Sequence, residues 1–272
     1  MLPDIRAEVA KQVRRPASWL LLAIAVAQSL TFAYVIPYAG YTGTTSGPVS
    51  RDLAAMLPGQ FVAGAIAGLP LFIGALALIF GVLVAGSEYG WETWKSVFVQ
   101  RPSRLSVYAA KLVTVALGVL VFVLTLLVFS ASASAVVAAL ADQPMHWPAV
   151  AAIVRGLGAG WLVTMMWGSL GVLLGIALRG VALPIGLGLV WMLAIQNLLS
   201  SIAAPLLEWV ATMQKGLPGP NAGALVAALV GRTGAPGVEA IVAGGQATVV
   251  VAAYLLAFSV LGGLLLRRRD ID

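Results

Sequence analysis

Residues 112–140 read LVTVALGVLVFVLTLLVFSASASAVVAAL, an unbroken run with no Asp, Glu, Lys or Arg. About 20 predominantly apolar residues are enough for a helix to cross the ~30 Å hydrocarbon layer of a bilayer. The stretch therefore reads as a membrane-spanning helix. Five more stretches qualify to either side of it: Ala17–Tyr38, Phe61–Ala85, Gly156–Leu178, Val181–Ile202 and Gln246–Leu266. One such run alone would also fit a buried helix of a soluble protein. Six of them joined by thin polar connections would not.

Composition points the same way. Of the 272 residues, 61% are hydrophobic and only 10% are charged, against about 25% charged in an ordinary globular domain. So few charges could hardly cover a soluble fold of this size, and the apolar excess excludes disorder. The expected fold class is all-α, a polytopic membrane protein forming one continuous domain over 1–272. There is no cysteine, and the single histidine, His146, leaves little for metal or Ser/His chemistry. His146 sits in a connecting loop, where a solvated or capping role is expected.

The net charge of +6 is an orientation signal, because Lys and Arg flanking spans are retained on the cytoplasmic side. Arg6, Lys11, Arg14 and Arg15 precede the first span. Lys95, Arg101, Arg104 and Lys111 lie between the second and third, Arg179 follows the fourth, and Arg267, Arg268 and Arg269 follow the sixth. The opposite loops hold only Arg51, Arg155, Lys215 and Arg232. Both termini are thus expected in the cytoplasm (N-in, C-in), and no nucleic-acid partner is called for. The first span exceeds the 7–15 residues of a signal-peptide core and lacks a small-residue cleavage site, so it is expected to be kept. Tyr34, Pro37, Tyr38 and Tyr41 read as an interfacial aromatic belt, with Trp19 at the cytoplasmic edge.

Residues 1–16 carry Leu2, Ile5, Val9 and Val13 on one helical face, with the charged side chains mainly elsewhere. A short basic amphipathic helix in the interface plane is expected, broken by Pro16; a solvated basic tail is the simpler alternative. The loop 86–111, GSEYGWETWKSVFVQRPSRLSVYAAK, places Trp91, Trp94, Val97 and Phe98 on one side of a helix. Glu88, Glu92 and Lys95 fall on the other, Pro102 ends that helix, and Ser103 caps the next. Such a helix either docks a cytosolic partner or serves only as an interfacial anchor. The longest outside segment, 203–245, holds two apolar pieces too short to span, Pro205–Met213 and Ala222–Val230. Both are expected to be short extracellular or re-entrant helices covered by protein.

The chain contains no GxxxxGK[ST] phosphate loop and no HExxH motif, so no catalytic residues are expected, no metal ligands and no cofactor of its own. Gly64/Gly68, Gly156/Gly160 and Gly171/Gly175 are small-residue pairs that allow close helix packing. The polar residues inside the spans include Gln28, Gln196, Asn197 and Tyr254. They fit a substrate pathway, and interhelical hydrogen bonding fits them equally well.

At the 86–111 loop the sequence resembles the ABC-2 type permease family, the membrane subunits of ATP-binding-cassette exporters. The matching residues are Glu88 at the end of the second span, then Gly90, Thr93 and Lys95, the Pro102-Ser103-Arg104 stretch, and Lys111 opening the third span. The Pro-ended basic N-terminal helix and the terminal RRRDID are also similar. Trp91 and Glu92 separate Gly90 from Thr93, which are adjacent in many members. The resemblance implies that 1–16 is a connecting helix and that the 86–111 loop carries a cytoplasmic coupling helix between spans two and three. That helix would contact a separate ABC ATP-binding subunit through Glu88, Glu92, Thr93, Lys95, Arg101 and Arg104, with ATP and Mg held by that partner. It further implies a second permease copy, identical or related, in the plasma (inner) membrane of a prokaryote. The scarcity of charge in the spans favours a lipophilic or amphiphilic cargo. The alternative function is an ATP-independent membrane scaffold that docks a cytosolic partner on the same helix. Secondary transport is disfavoured by the lack of carboxylates in the spans.

Overall fold

The computed structural model describes residues 2–44, 52–90, 103–231 and 234–268, and every regular element among them is helical. Helix α1 (Leu2–Val13) ends just before Pro16, which starts α2 (Pro16–Tyr41) at the one helical position where its missing N–H costs nothing. A short helix, α3 (Phe61–Ile66), precedes α4 (Phe72–Gly90). Then come α5 (Arg104–Leu140), α6 (Val150–Leu178), α7 (Ala182–Leu206), the short α8 (Glu208–Met213), α9 (Pro218–Val230) and α10 (Gly244–Arg268). Six of these, α2, α4, α5, α6, α7 and α10, are long and apolar enough to cross a membrane.

The second span differs from its sequence reading. It does not run through from Phe61: the chain breaks at 67–71 and the long helix starts only at Phe72. Pro70 explains the break, since it has no N–H to donate and its ring collides with the carbonyl four residues back. The exposed backbone is tolerated because protein surrounds it; Leu69 and Leu71 at the break are both buried. At its other end the helix runs past Ala85 to Gly90, which draws Glu88 into it.

The core lies between α4 and α6. In their most apolar windows 72% and 67% of residues are buried, against 22% in α2, α7 and α10. The outer helices keep large side chains such as Phe32, Leu187 and Leu256 exposed, as lipid-facing surfaces do. Glycine sets the spacing of the central pair. A methyl group on Gly81 would collide with the Gly168 carbonyl, and one on Gly171 with that of Leu78. The Gly171/Gly175 pair is therefore used within the chain, on close approach of α6 to α4.

Tyr34 departs from the expected aromatic belt. It is buried and donates its hydroxyl to Ser130 Oγ at 3.1 Å, joining α2 to α5. It lies in a π-helical stretch, Thr31–Val35, which turns the side chain inward. Trp19 and Tyr41 remain exposed. Among the described residues of 203–245, α8 and α9 are short helices. Of these α9 is buried from Asn221 to Ala227, packing on α10 and α6.

Candidate functional site

At the end of the bundle where α1, α4 and α5 meet, four charged side chains form a closed cluster. Lys111, fully buried in α5, directs its three ammonium donors to Glu8 Oε2, Glu88 Oε1 and the Val84 carbonyl, each at 3.1 Å. Lys11 reaches the same two carboxylates from α1, at 2.9 Å to Glu8 Oε1 and 2.8 Å to Glu88 Oε1. Two cations thus alternate with two anions. A buried ammonium survives only when paired and fully hydrogen-bonded, and Lys111 meets both conditions.

The polar face of α1 carries this arrangement. Asp4, Glu8 and Gln12 recur every four residues and all three are buried against the bundle. Asp4 accepts a hydrogen bond from Ser106 Oγ at 3.2 Å, and Gln12 one from Ser18 Oγ at 3.3 Å. Leu2 and Val13, on the other side, are exposed. The amphipathic helix is present, then, but its polar face is glued to protein instead of water. Arg15 closes the corner, donating from Nη1 to the Leu83 carbonyl at 2.9 Å.

The electrostatics follow from burial and charge together. Burial pulls the Lys11 ammonium down, but the hydrogen bonds to Glu88 and Glu8 and their negative charges outweigh it, so its pKa stands above the ordinary lysine value. Burial lowers Arg15, and the charges of Glu88 and Glu8 oppose the shift.

Glu88 had been grouped with Glu92 and Lys95 on a solvent-facing side. It is instead 3% exposed, because α4 continues through it and turns its carboxylate to Lys11 and Lys111. Arg104 begins α5, half-buried, directly after the predicted Ser103 cap, whose Oγ accepts the Ser106 N–H at 3.4 Å. Glu92, Thr93, Lys95 and Arg101 lie outside the described residues. Glu8 and Lys11 were not among the expected site residues. The available signal was the four-residue recurrence of Asp4, Glu8 and Gln12, a polar stripe too regular for a merely solvated tail.

The four candidate pathway residues do not line one channel. Gln196 (buried) and Asn197 (exposed) line a small pocket of about 60 Å³, together with Trp167, Met192, Gly219 and Glu239. Gln28, half-buried on α2, and Tyr254, whose hydroxyl donates to the Gly216 carbonyl at 3.0 Å, lie apart from that lining. Helix α4 connects the two sites: Leu71, just before it, lines the pocket and Glu88 belongs to the charged cluster, about 25 Å apart at 1.5 Å per residue. Among the described residues no group of acidic or histidine side chains is placed to hold a metal ion.

The family model for the ABC-2 family transporter protein matches residues 5–196, from α1 into α7. No curated protein matches the sequence.

Proposed function

The chain belongs to the ABC-2 transporter family, a multi-pass membrane permease of ABC-type transport, and from that premise we propose that it is the permease subunit of an ATP-driven exporter. Members of this family generally work with an ATP-binding subunit. In this reading a separate subunit supplies ATP and Mg, and contacts the permease through 91–102 and the residues flanking it. Two permease copies pair in the membrane, with both termini in the cytoplasm, and the cargo is lipophilic or amphiphilic.

One observation carries the reading, the alternation of buried Glu8, Glu88 and Lys111 with the partly exposed Lys11. It ties the N-terminal helix to the last turns of α4 and the first turns of α5, the two helices that 91–102 connects. A push on that connection is transmitted to α1, α4 and α5 as a unit, because separating any of them exposes a buried charge. Helix α4 then carries the displacement toward the pocket at its far end. An anchor without a partner would have no use for so rigid a joint at both ends of one loop.

The test is co-expression with a candidate ATP-binding subunit, one that carries a Walker A motif. The purified permease alone should hydrolyse no ATP above background. The co-purified complex should hydrolyse it, and should lose that activity when the Walker lysine of the partner is changed. Robust hydrolysis by this chain alone, or a partner that never co-purifies, would overturn the reading. Reporter fusions at Asp272 and within 39–60 test the orientation independently.

A further inference from the structure

The pocket at the start of α4 contains two buried donors that meet no acceptor among the described residues. The Trp167 side chain is fully buried and Gln196 is 3% exposed, yet neither Trp167 Nε1 nor Gln196 Nε2 finds an acceptor among the described residues. The amide orientation is fixed by its surroundings: Gln196 Oε1 accepts the Gly219 N–H at 2.8 Å, which leaves Nε2 as the unsatisfied atom. A buried N–H without an acceptor carries its full desolvation penalty, so the site is built to meet an oxygen.

The backbone around Gln196 is shaped for this position. Helix α7 widens into π-helical stretches on both sides of it, Val190–Ile195 and Leu199–Ala203, the kind of distortion that recurs at functional sites. A methyl group on Gly219 would run into Gln196 Oε1, so only glycine permits the contact. Glu239, exposed at the rim, is the one charged side chain in the lining among the described residues. The volume, about 60 Å³, is far below the 300–1,000 Å³ of a site that encloses a drug-sized molecule. It accommodates a head group, while the rest of the molecule stays outside. The side chains of α7 beside it, Leu198, Ile202 and Leu206, are apolar and exposed.

We infer that this pocket binds the polar head of an amphiphile, taking a carbonyl or ether oxygen on Trp167 and Gln196 while the apolar tail lies along α7. The head is neutral or cationic, because Glu239 repels an anion and no cationic side chain among the described residues lines the pocket. Its role as a cargo site rests on the permease reading; the binding itself does not.

Three probes with the same chain length separate these terms. Lauroylcholine has an ester carbonyl beside a cationic head. Dodecyltrimethylammonium keeps the cation and loses the carbonyl, and dodecanoate presents an anion. Each is titrated into the purified full chain in lipid nanodiscs, without any ATP-binding subunit, and corrected for empty nanodiscs. Lauroylcholine should bind saturably and about tenfold more tightly than dodecyltrimethylammonium, as expected for a pair of buried hydrogen bonds. Trp167→Phe, which removes the N–H donor together with the five-membered ring that carries it, should narrow that gap to about threefold or less. Glu239→Gln, at an exposed position that leaves the fold intact, should weaken both cations and admit dodecanoate. Equal binding of the two cations, or lauroylcholine affinity untouched by both substitutions, would mean partition into lipid and would overturn the inference. Because the ATP-binding subunit is absent, a failure here is separate from a failure of energy coupling.

Discussion

Glu8 Oε2 and Lys111 Nζ meet at 3.1 Å across 103 positions of chain, one on the N-terminal helix α1 and the other sealed inside a membrane-spanning one. Neither charge has a place there without the other. That mutual dependence makes the joint between α1, α4 and α5 testable in several independent ways.

Removing one member of the cluster should be far worse than removing its polar character altogether. Lys111→Met leaves two buried carboxylates competing for Lys11, and should destabilise the protein by about 3–5 kcal/mol. Glu8→Leu, Glu88→Leu and Lys111→Leu combined should cost clearly less than Lys111→Met alone, since no buried charge is then stranded. Unfolding in detergent monitored by tryptophan fluorescence checks the order. If the triple variant proves the weaker of the two, the charges stabilise more than their burial costs.

The alkaline limb of stability should be displaced. The folded-state pKa of Lys11 stands above its ordinary value, so its contribution is complete below the unfolded lysine pKa of about 10.4 and fades as pH rises through the higher folded value. Thermal unfolding scanned upward from pH 9 should therefore show an alkaline loss of stability in the wild type that is smaller in Lys11→Met, which has no such group to lose. Superimposable curves would contradict the assignment.

Charge reversal beyond the end of α4 should affect coupling and not insertion. Glu92→Lys or Lys95→Glu should weaken recovery of the ATP-binding subunit by an amount on the order of 2–5 kcal/mol if the contact is desolvated. A change touching only solvent stays within about 0.5 kcal/mol. Co-purification yield and stimulated ATP hydrolysis report the difference, and wild-type values for both variants would place the docking surface elsewhere.

The central helix pair should not tolerate bulk. Gly171→Val drives a branched side chain into the Leu78 carbonyl and should cost at least the ~1–3 kcal/mol of an overpacked core, whereas Gly186→Val, at an open position on α7, should cost little. The comparison is a difference in melting temperature between two otherwise matched variants.

The spans were legible because apolar length is a property of a single segment, and α5 and α10 follow it to within a few residues apart from the eight-residue N-terminal extension of α5. Glu88 and Lys111 were also singled out in the sequence. What escaped was whatever one segment alone does not encode. Pro70 gave a local sign of the broken second span, yet the hydrophobicity on both sides of it is continuous. The inward turn of Asp4, Glu8 and Gln12 depends on partners that lie far along the chain. Tyr34 has the composition of an interface residue and the packing of a core residue, and only Ser130 decides between them.

The cluster also has a history within each molecule. Glu8 and Lys11 leave the ribosome long before Glu88 and Lys111 exist. At about 5–20 residues per second, Glu8 waits roughly 5–20 s for Lys111. During that interval α1 has only its apolar face, Leu2, Ile5, Val9 and Val13, with which to rest on the bilayer, its own acids still bathed in water. The joint closes only once the third span has arrived, so α1 is made well before it is locked.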